Sequence, residues 1–368
     1  FHHLQGPVVE WAHPPMPTGA GGGRAGPGAD AVEAFPALDA WAAAPGEAAA
    51  PRVDRLAHLL ASLALPDAAH RARSNETSCV FFVLPVDGCL LYGVSCHRSV
   101  PAADLLHRDA SVSRSIVQKA VCVLSRCPFF GLLQQRLSPV THAYFDQKDF
   151  RCTALLSSFH AQLDSVPFEK LSEGELLLGM DHSTIFRGLR HELLSVLKAI
   201  LLEGKVLVYS ASAEVCSCAV LCLLALLPGG AWLGFNSDGL GSRHFHFRKY
   251  GLPLKCFGPR FCVYPYMGLQ MLEALRQMRG FLVGTTNRML LERAAPDVLV
   301  ELDVDSGAGS GGAVGGGGGA VGGVGAGCAE VVGCRVTFNN AEVGHLTKCG
   351  KADKTWVLEA LAALEAAA

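Results

Sequence analysis

Apolar and polar positions change their rhythm about halfway along the chain. In the first half the apolar runs are short and rich in β-branched and aromatic residues. Residues 79–84 (CVFFVL) and 90–96 (LLYGVSC) flank Asp87-Gly88, a two-residue turn signal, and predict a hairpin. Residues 115–124 (SIVQKAVCVL) supply a third strand of the same sheet. Residues 7–12 (PVVEWA) predict a short strand stopped by Pro14-Pro15. Residues 53–63 (VDRLAHLLASL) carry the spacing of a short amphipathic helix, and 64–67 a turn. Helical patterns follow over 128–145, where Pro139 is placed to split the element, and over 149–164. The first half therefore reads as a small antiparallel sheet followed by helices.

The second half alternates strands with helices. Residues 185–203 predict one amphipathic helix, with Leu189, Leu193, Val196, Leu197, Ile200 and Leu201 as its apolar stripe. Gly204 caps it and a strand over 205–209 follows at once. Ser212 is placed to cap a helix over 213–227, with Glu214 in the first turn where a carboxylate suits the helix dipole. Residues 236–249 are polar and read as a loop. Residues 261–264 and 280–284 read as buried strands around a helix at 267–278, which argues for a parallel α/β sheet. A strand over 298–304, a strand pair within 329–338 and a terminal helix over 352–366 complete the pattern.

Composition alters this picture in two places. Residues 17–52 and 306–328 are Gly/Ala/Pro-rich, and they hold many of the 41 glycines; the first reads as a disordered insertion and the second as a linker. The remainder suffices for about two domains. The apolar stretch 206–235 invites a membrane reading. Its helix, at ~1.5 Å per residue, spans about 22 Å, short of a ~30 Å hydrocarbon core, so a strand and a core helix fit better. Net charge is −2 and the basic residues are scattered, which argues against a nucleic-acid surface. Phe1-His2-His3 lacks the order of a signal peptide. A start at Phe1 rather than Met predicts a fragment or an incomplete gene model.

Candidate chemistry is sparse. The 14 cysteines include no CxxC and mostly sit in apolar runs, so they read as buried free thiols of a reducing compartment, including the tempting trio Cys216, Cys218 and Cys222. The sequon at Asn75 matters only in a secreted protein. Gly307–Gly312 fits GxGxxG inside a glycine tract and is read as chance. His244 and His246 read as a surface pair and His191 as solvated. Asp297, Glu301, Asp303 and Asp305 read as solvated strand termini. No metal, cofactor or catalytic residue is expected, which points towards a binding or regulatory module.

A series of collinear motifs goes further. It begins with Phe1-His2-His3, Val8-Val9-Glu10 and Pro14-Pro15, then Leu65-Pro66-Asp67 through His70, FFVLP at 81–85 and YGVSC at 92–96. It continues with VQKAVCVLSR at 117–126, GLLQ at 131–134, THAYF at 141–145 and KDF at 148–150. ILLEGKVLVY at 200–209, LLPG at 226–229, GLP at 251–253, YPYM at 264–267 and RGFLVGTTN at 279–287 follow. The chain thereby resembles DENN-domain proteins of the Avl-nine type over most of 1–16 and 64–305. The resemblance implies an α/β fold with an α+β N-lobe, a tripartite DENN module in which a longin-like N-lobe packs on an α/β C-lobe. The implied division is 1–165 for the upstream lobe with its insertion 17–52, 180–305 for the central lobe, 306–328 as linker and 329–368 as a short downstream remnant. The family's acidic insertion is reduced here to roughly 231–250, and its first strand would precede Phe1.

The resemblance also implies a Rab-type small GTPase as partner and guanine-nucleotide exchange in late secretory or endosomal vesicle transport. A non-exchanging scaffold or Rab effector of the same fold is the alternative; an enzyme with a hidden pocket is a third reading. The expected location is cytoplasmic, with peripheral association at Golgi or endosomal membranes. Asp67, Arg126, Tyr144, Lys148 and Arg279, the polar residues of the matching motifs, are the candidates for the partner surface, with structural capping or hydrogen bonding as their competing role.

Overall fold

The structure is a computed structural model. It describes residues 8–13, 49–67, 77–86, 89–108, 114–227, 230, 257, 260–304 and 331–367. The expectations for 17–48, Asp87-Gly88, the 236–249 loop, His244, His246, Asp305 and the glycine tract lie outside the described residues.

Helix α1 (Ala49–Ala64) begins inside the segment expected to be a disordered insertion. Strands β1 (Thr77–Val86), β2 (Cys89–Pro101) and β3 (Ile116–Ser125) form an antiparallel sheet in the order β1-β2-β3, as the short apolar runs predicted. Residues 8–12 form no strand, which corrects the expectation from PVVEWA: two β-branched residues do not make a ladder. Val9 and Trp11 instead pack against the core, and Glu10 pairs with Lys119 of β3.

Helix α2 (Phe130–Asp146) runs through Pro139 unbroken. Pro139 and Gln135, whose carbonyl loses its helical donor, both lie on the exposed face, where water replaces the missing bond. Helix α3 (Ala154–Asp164) starts five residues later than the pattern suggested.

The single helix expected over 185–203 is two: α4 (His182–Leu189) and α5 (Leu193–Leu201), joined by a 3-10 turn in which Arg190 has φ 47°. Packing accounts for the break. Val331 sits against α4 at Gly188, where a Cβ would lie 2.9 Å from Val331 Cγ1. Of the expected stripe, Leu189, Val196 and Ile200 are buried, whereas Leu201 is exposed. Gly204 donates to Ala199 O as expected of a cap, yet the left-handed residue is Glu203, with φ 54°. The Glu203 carboxylate accepts from Phe257 N.

The second sheet combines β4 (Lys205–Ser210), β5 (Phe261–Tyr264), β6 (Gly280–Thr285), β7 (Val298–Val304) and β8 (Val331–Phe338) in the order β5-β6-β4-β7-β8. The first four are mutually parallel, which confirms the α/β rhythm; β8 returns antiparallel to β7 with a bulge at Asp303/Val304. Of the strand pair expected within 329–338, the described residues form one strand. Helix α6 (Ala213–Ala225) follows β4, α7 (Leu272–Arg276) and α8 (Arg288–Arg293) flank β6, and α9 (Ala341–Thr347), absent from the pattern reading, precedes the terminal α10 (Lys351–Ala367).

Helix α6 is apolar almost all round because nearly all of its residues are buried. It lies between β1 of the first sheet and β4 and β6 of the second. One apolar core therefore runs from Leu56 of α1 through both sheets to Leu361 of α10. No described helix is long and apolar enough to cross a membrane.

Candidate functional site

Five polar residues were singled out by the sequence, and the structure scatters them. Arg126 and Lys148 are both exposed, but they lie beyond opposite ends of α2, whose 17 residues span about 25 Å. Lys148 adopts φ 54°, and its carbonyl accepts from Leu106 N at 3.0 Å. Arg279 is exposed before the start of β6, where its amide donates to Arg260 O at 2.8 Å. Tyr144 is buried: its hydroxyl donates to Phe150 O at 2.9 Å, and its ring packs with Phe145 and Phe150. Burial pushes the Tyr144 phenol well above its ordinary range. Asp67 lies beyond the far end of β6 from Arg279, against Tyr266 and Asn287.

The structure assembles another constellation, at the seam between the two sheets. β1 is an edge strand, so half its amides face away from β2. Two of these are satisfied from α6: Cys79 N donates to Glu214 Oε2 at 3.3 Å and Phe81 N to Ser217 Oγ at 3.4 Å. Sequence position alone puts Glu214 only beside the helix dipole. Ser212 caps α6 as expected, its hydroxyl accepting from Val215 N at 3.3 Å.

A second joint lies where α1 ends. Asp67 N donates to the Tyr266 hydroxyl at 3.1 Å, and Asn287 Nδ2 donates to Asp67 Oδ2 at 2.9 Å. The Tyr266 hydroxyl also meets Thr286 Oγ1 at 3.2 Å. Tyr266 is fully buried, which raises its pKa above the usual phenol value and leaves it a neutral hydrogen-bonding group. Tyr266 and Asn287 fell within the quoted YPYM and RGFLVGTTN motifs, but apolar neighbours in each masked their part in the joint. Asp297, expected among solvated strand termini, is likewise structural: its carboxylate accepts from Lys205 N and Asn340 Nδ2 at 2.9 and 2.8 Å.

A cleft with a cavity volume of only about 10 Å3 lies at the seam, lined by Phe81, Gln134, Met180, Asp181, Glu214 and Cys218. It is smaller than the ~300–1,000 Å3 of ordinary small-molecule sites. Among the described residues no three His, Cys, Asp or Glu side chains are grouped to hold a metal ion. Cys216, Cys218 and Cys222 are buried on α6 as packing residues, and Cys152 is exposed. His191 is half-exposed beside Glu192. The arrangement serves to hold the two sheets together.

The family model described as "Transport protein Avl9" matches residues 35–232 and 235–307. The late secretory pathway protein AVL9 of Saccharomyces cerevisiae is 30% identical over 233 residues, covering 56% of this chain and 30% of that protein. Late secretory pathway protein avl9 of Schizosaccharomyces pombe is 28% identical over 328 residues, covering 82% of this chain and 61% of that protein. The chain thus spans less than two thirds of the length of either relative. The match covers the first sheet, β4 to β7 of the second and the seam between them, and the chain belongs to the Avl9 transport-protein family.

Proposed function

We propose that this chain is a DENN-type regulator of a Rab GTPase that promotes guanine-nucleotide exchange in late secretory or endosomal vesicle transport. The observation that carries the reading is the joined pair of units, an antiparallel sheet with flanking helices held against a parallel α/β sheet through α6. The upstream unit is taken as 1–165, the central unit as 180–305, and 306–328 and 329–368 as linker and downstream remnant. The names of the yeast relatives support the pathway. The resemblance to DENN proteins supports the class of partner.

Exchange of this kind breaks no covalent bond. A surface that binds the nucleotide-free GTPase more tightly than the nucleotide-bound form lowers the barrier to release by the difference. A thousandfold acceleration needs about 4 kcal/mol of such preference. Rigid joints between the two units serve that task, because a surface that yields to its partner loses the differential. Arg126, Lys148 and Arg279 are exposed and available for partner contact, whereas Asp67 acts through the joint it holds and Tyr144 fixes the loop after α2. The protein is placed in the cytoplasm, at the surface of Golgi or endosomal membranes.

The test is release of fluorescent GDP from a panel of Rab GTPases. Accelerated release from one Rab, with a stable complex once nucleotide is removed, is the expected result. Unchanged release from every member together with GTP-dependent binding to one would favour a scaffold or effector of the same fold instead.

A further inference from the structure

Cys79 and Cys96 face each other across β1 and β2. They are 1% and 0% exposed, and their sulfurs are 2.6 Å apart. Register alone does not bring side chains together in an antiparallel pair, since directly opposed residues alternate between wide and narrow spacing. Here the spacing follows from the seam. The amides of Cys79 and Phe81 point outward to Glu214 and Ser217, away from β2. Cys79 and Cys96 therefore form a non-hydrogen-bonded pair, the narrow type, with Cα atoms about 4.5 Å apart. That lies inside the ~4.4–6.8 Å range a disulfide spans.

We infer that Cys79 and Cys96 are a dithiol modification site that closes to a cross-strand disulfide when the chain meets a low-molecular-weight disulfide. The step is ordinary exchange. The Cys79 thiol gives its proton to solvent and attacks one sulfur of the oxidant. The oxidant's S–S bond breaks and its other half leaves as a thiolate. Cys96, also deprotonated, then attacks the Cys79 sulfur and expels the remaining half. Two protein thiols are oxidised, the oxidant is reduced to two thiols, and the two protons balance the two thiolates.

Position determines the order of attack and its rate. Cys79 lies on the edge strand, whose outer hydrogen bonds to α6 must part before an oxidant enters, while Cys96 lies on the central strand. The S–H contact with Cys96, with burial behind it, holds the Cys79 thiol well above the ordinary range. Closure is accordingly slow at neutral pH and faster in alkaline buffer. Once formed, the bond ties the strand that docks on α6 to the middle of its own sheet.

The experiment treats the reduced full chain with glutathione disulfide, denatures it, blocks free thiols with a maleimide and maps tryptic peptides by mass. Residues 74–98 leave trypsin as one peptide with three cysteines, Cys79, Cys89 and Cys96. Untreated protein takes up three labels on this peptide. Oxidised protein is expected to take up one, and chymotryptic cleavage is expected to place it on Cys89. Cys89→Ser removes the ambiguity: its oxidised peptide should take up no label and be 2 Da lighter than the reduced, unlabelled form. Three labels after prolonged oxidation at pH 8.5, a glutathione adduct that persists on Cys79, or a lone label on Cys79 or Cys96 would each overturn the assignment.

Discussion

His97 shows how one side chain can make stability depend on pH. It lies on β2 at 4% exposure, and its Nδ1 has no hydrogen-bond partner. Burial disfavours the charged imidazolium and lowers the pKa from 6.5 to about 4. In the unfolded chain the same ring protonates near its ordinary value. Between these two values the unfolded state binds the extra proton, so stability is full above about pH 6.5 and is lost as pH falls towards 4. The loss between pH 7 and pH 5 is about 2 kcal/mol from this ring alone. Urea unfolding at the two pH values measures it, and His97→Leu should flatten the difference by that amount. The sequence displayed His97 in a strand-like run but held no sign that its ring would lack a partner. Tyr144 shows the same limit: its motif was legible, but its burial against Phe145 and Phe150 depended on how α2 and the following loop closed together.

At the scale of elements, α6 has the clearest consequence. Its sequence is apolar all round, a pattern shared by a membrane span and a core helix. Its 13 residues favoured the core, and the structure places it between two sheets. Glu214 and Ser217 are the polar exceptions, and both meet the open edge of β1. Replacing either by Ala leaves an edge amide of β1 without its side-chain partner at the seam. Glu214→Ala and Ser217→Ala are each expected to cost roughly 1–3 kcal/mol in chemical denaturation. The amides of Cys79 and Phe81 should then exchange hydrogen faster than those of Leu91 and Val94 in the middle strand. Equal acceleration across the sheet would count against the edge contacts as its cause.

The whole molecule is tied by packing and by the joint at Tyr266. Its hydroxyl accepts from Asp67 N and meets Thr286, so one buried group connects the end of α1 with the end of β6. Because the apolar core is continuous through both sheets, the two units are expected to unfold together. Far-ultraviolet and near-ultraviolet circular dichroism should trace one coincident transition. Tyr266→Phe should move that transition by about 1–2 kcal/mol without dividing it. Two separated transitions in the parent chain would show that the seam contributes little to cooperativity.

Much of this protein was legible from local pattern. Short β-branched and aromatic runs marked β1, β2 and β3, an N-cap at Ser212 marked the start of α6, and strand–helix–strand spacing marked the parallel sheet, because burial imposes its pattern on the sequence. The collinear motifs added the family. Tertiary structure alone decided the rest. It divided the helix expected over 185–203 where β8 packs on α4, and it kept α2 intact through Pro139 where the helix faces water. It turned Glu214, Asp67 and Asp297 from surface carboxylates into ties between elements, and it brought Cys79 opposite Cys96 at the narrow spacing. Side-chain period records which face an element buries. Which partner meets that face, and which edge amide is left for a distant carboxylate, depends on contacts between residues far apart in sequence.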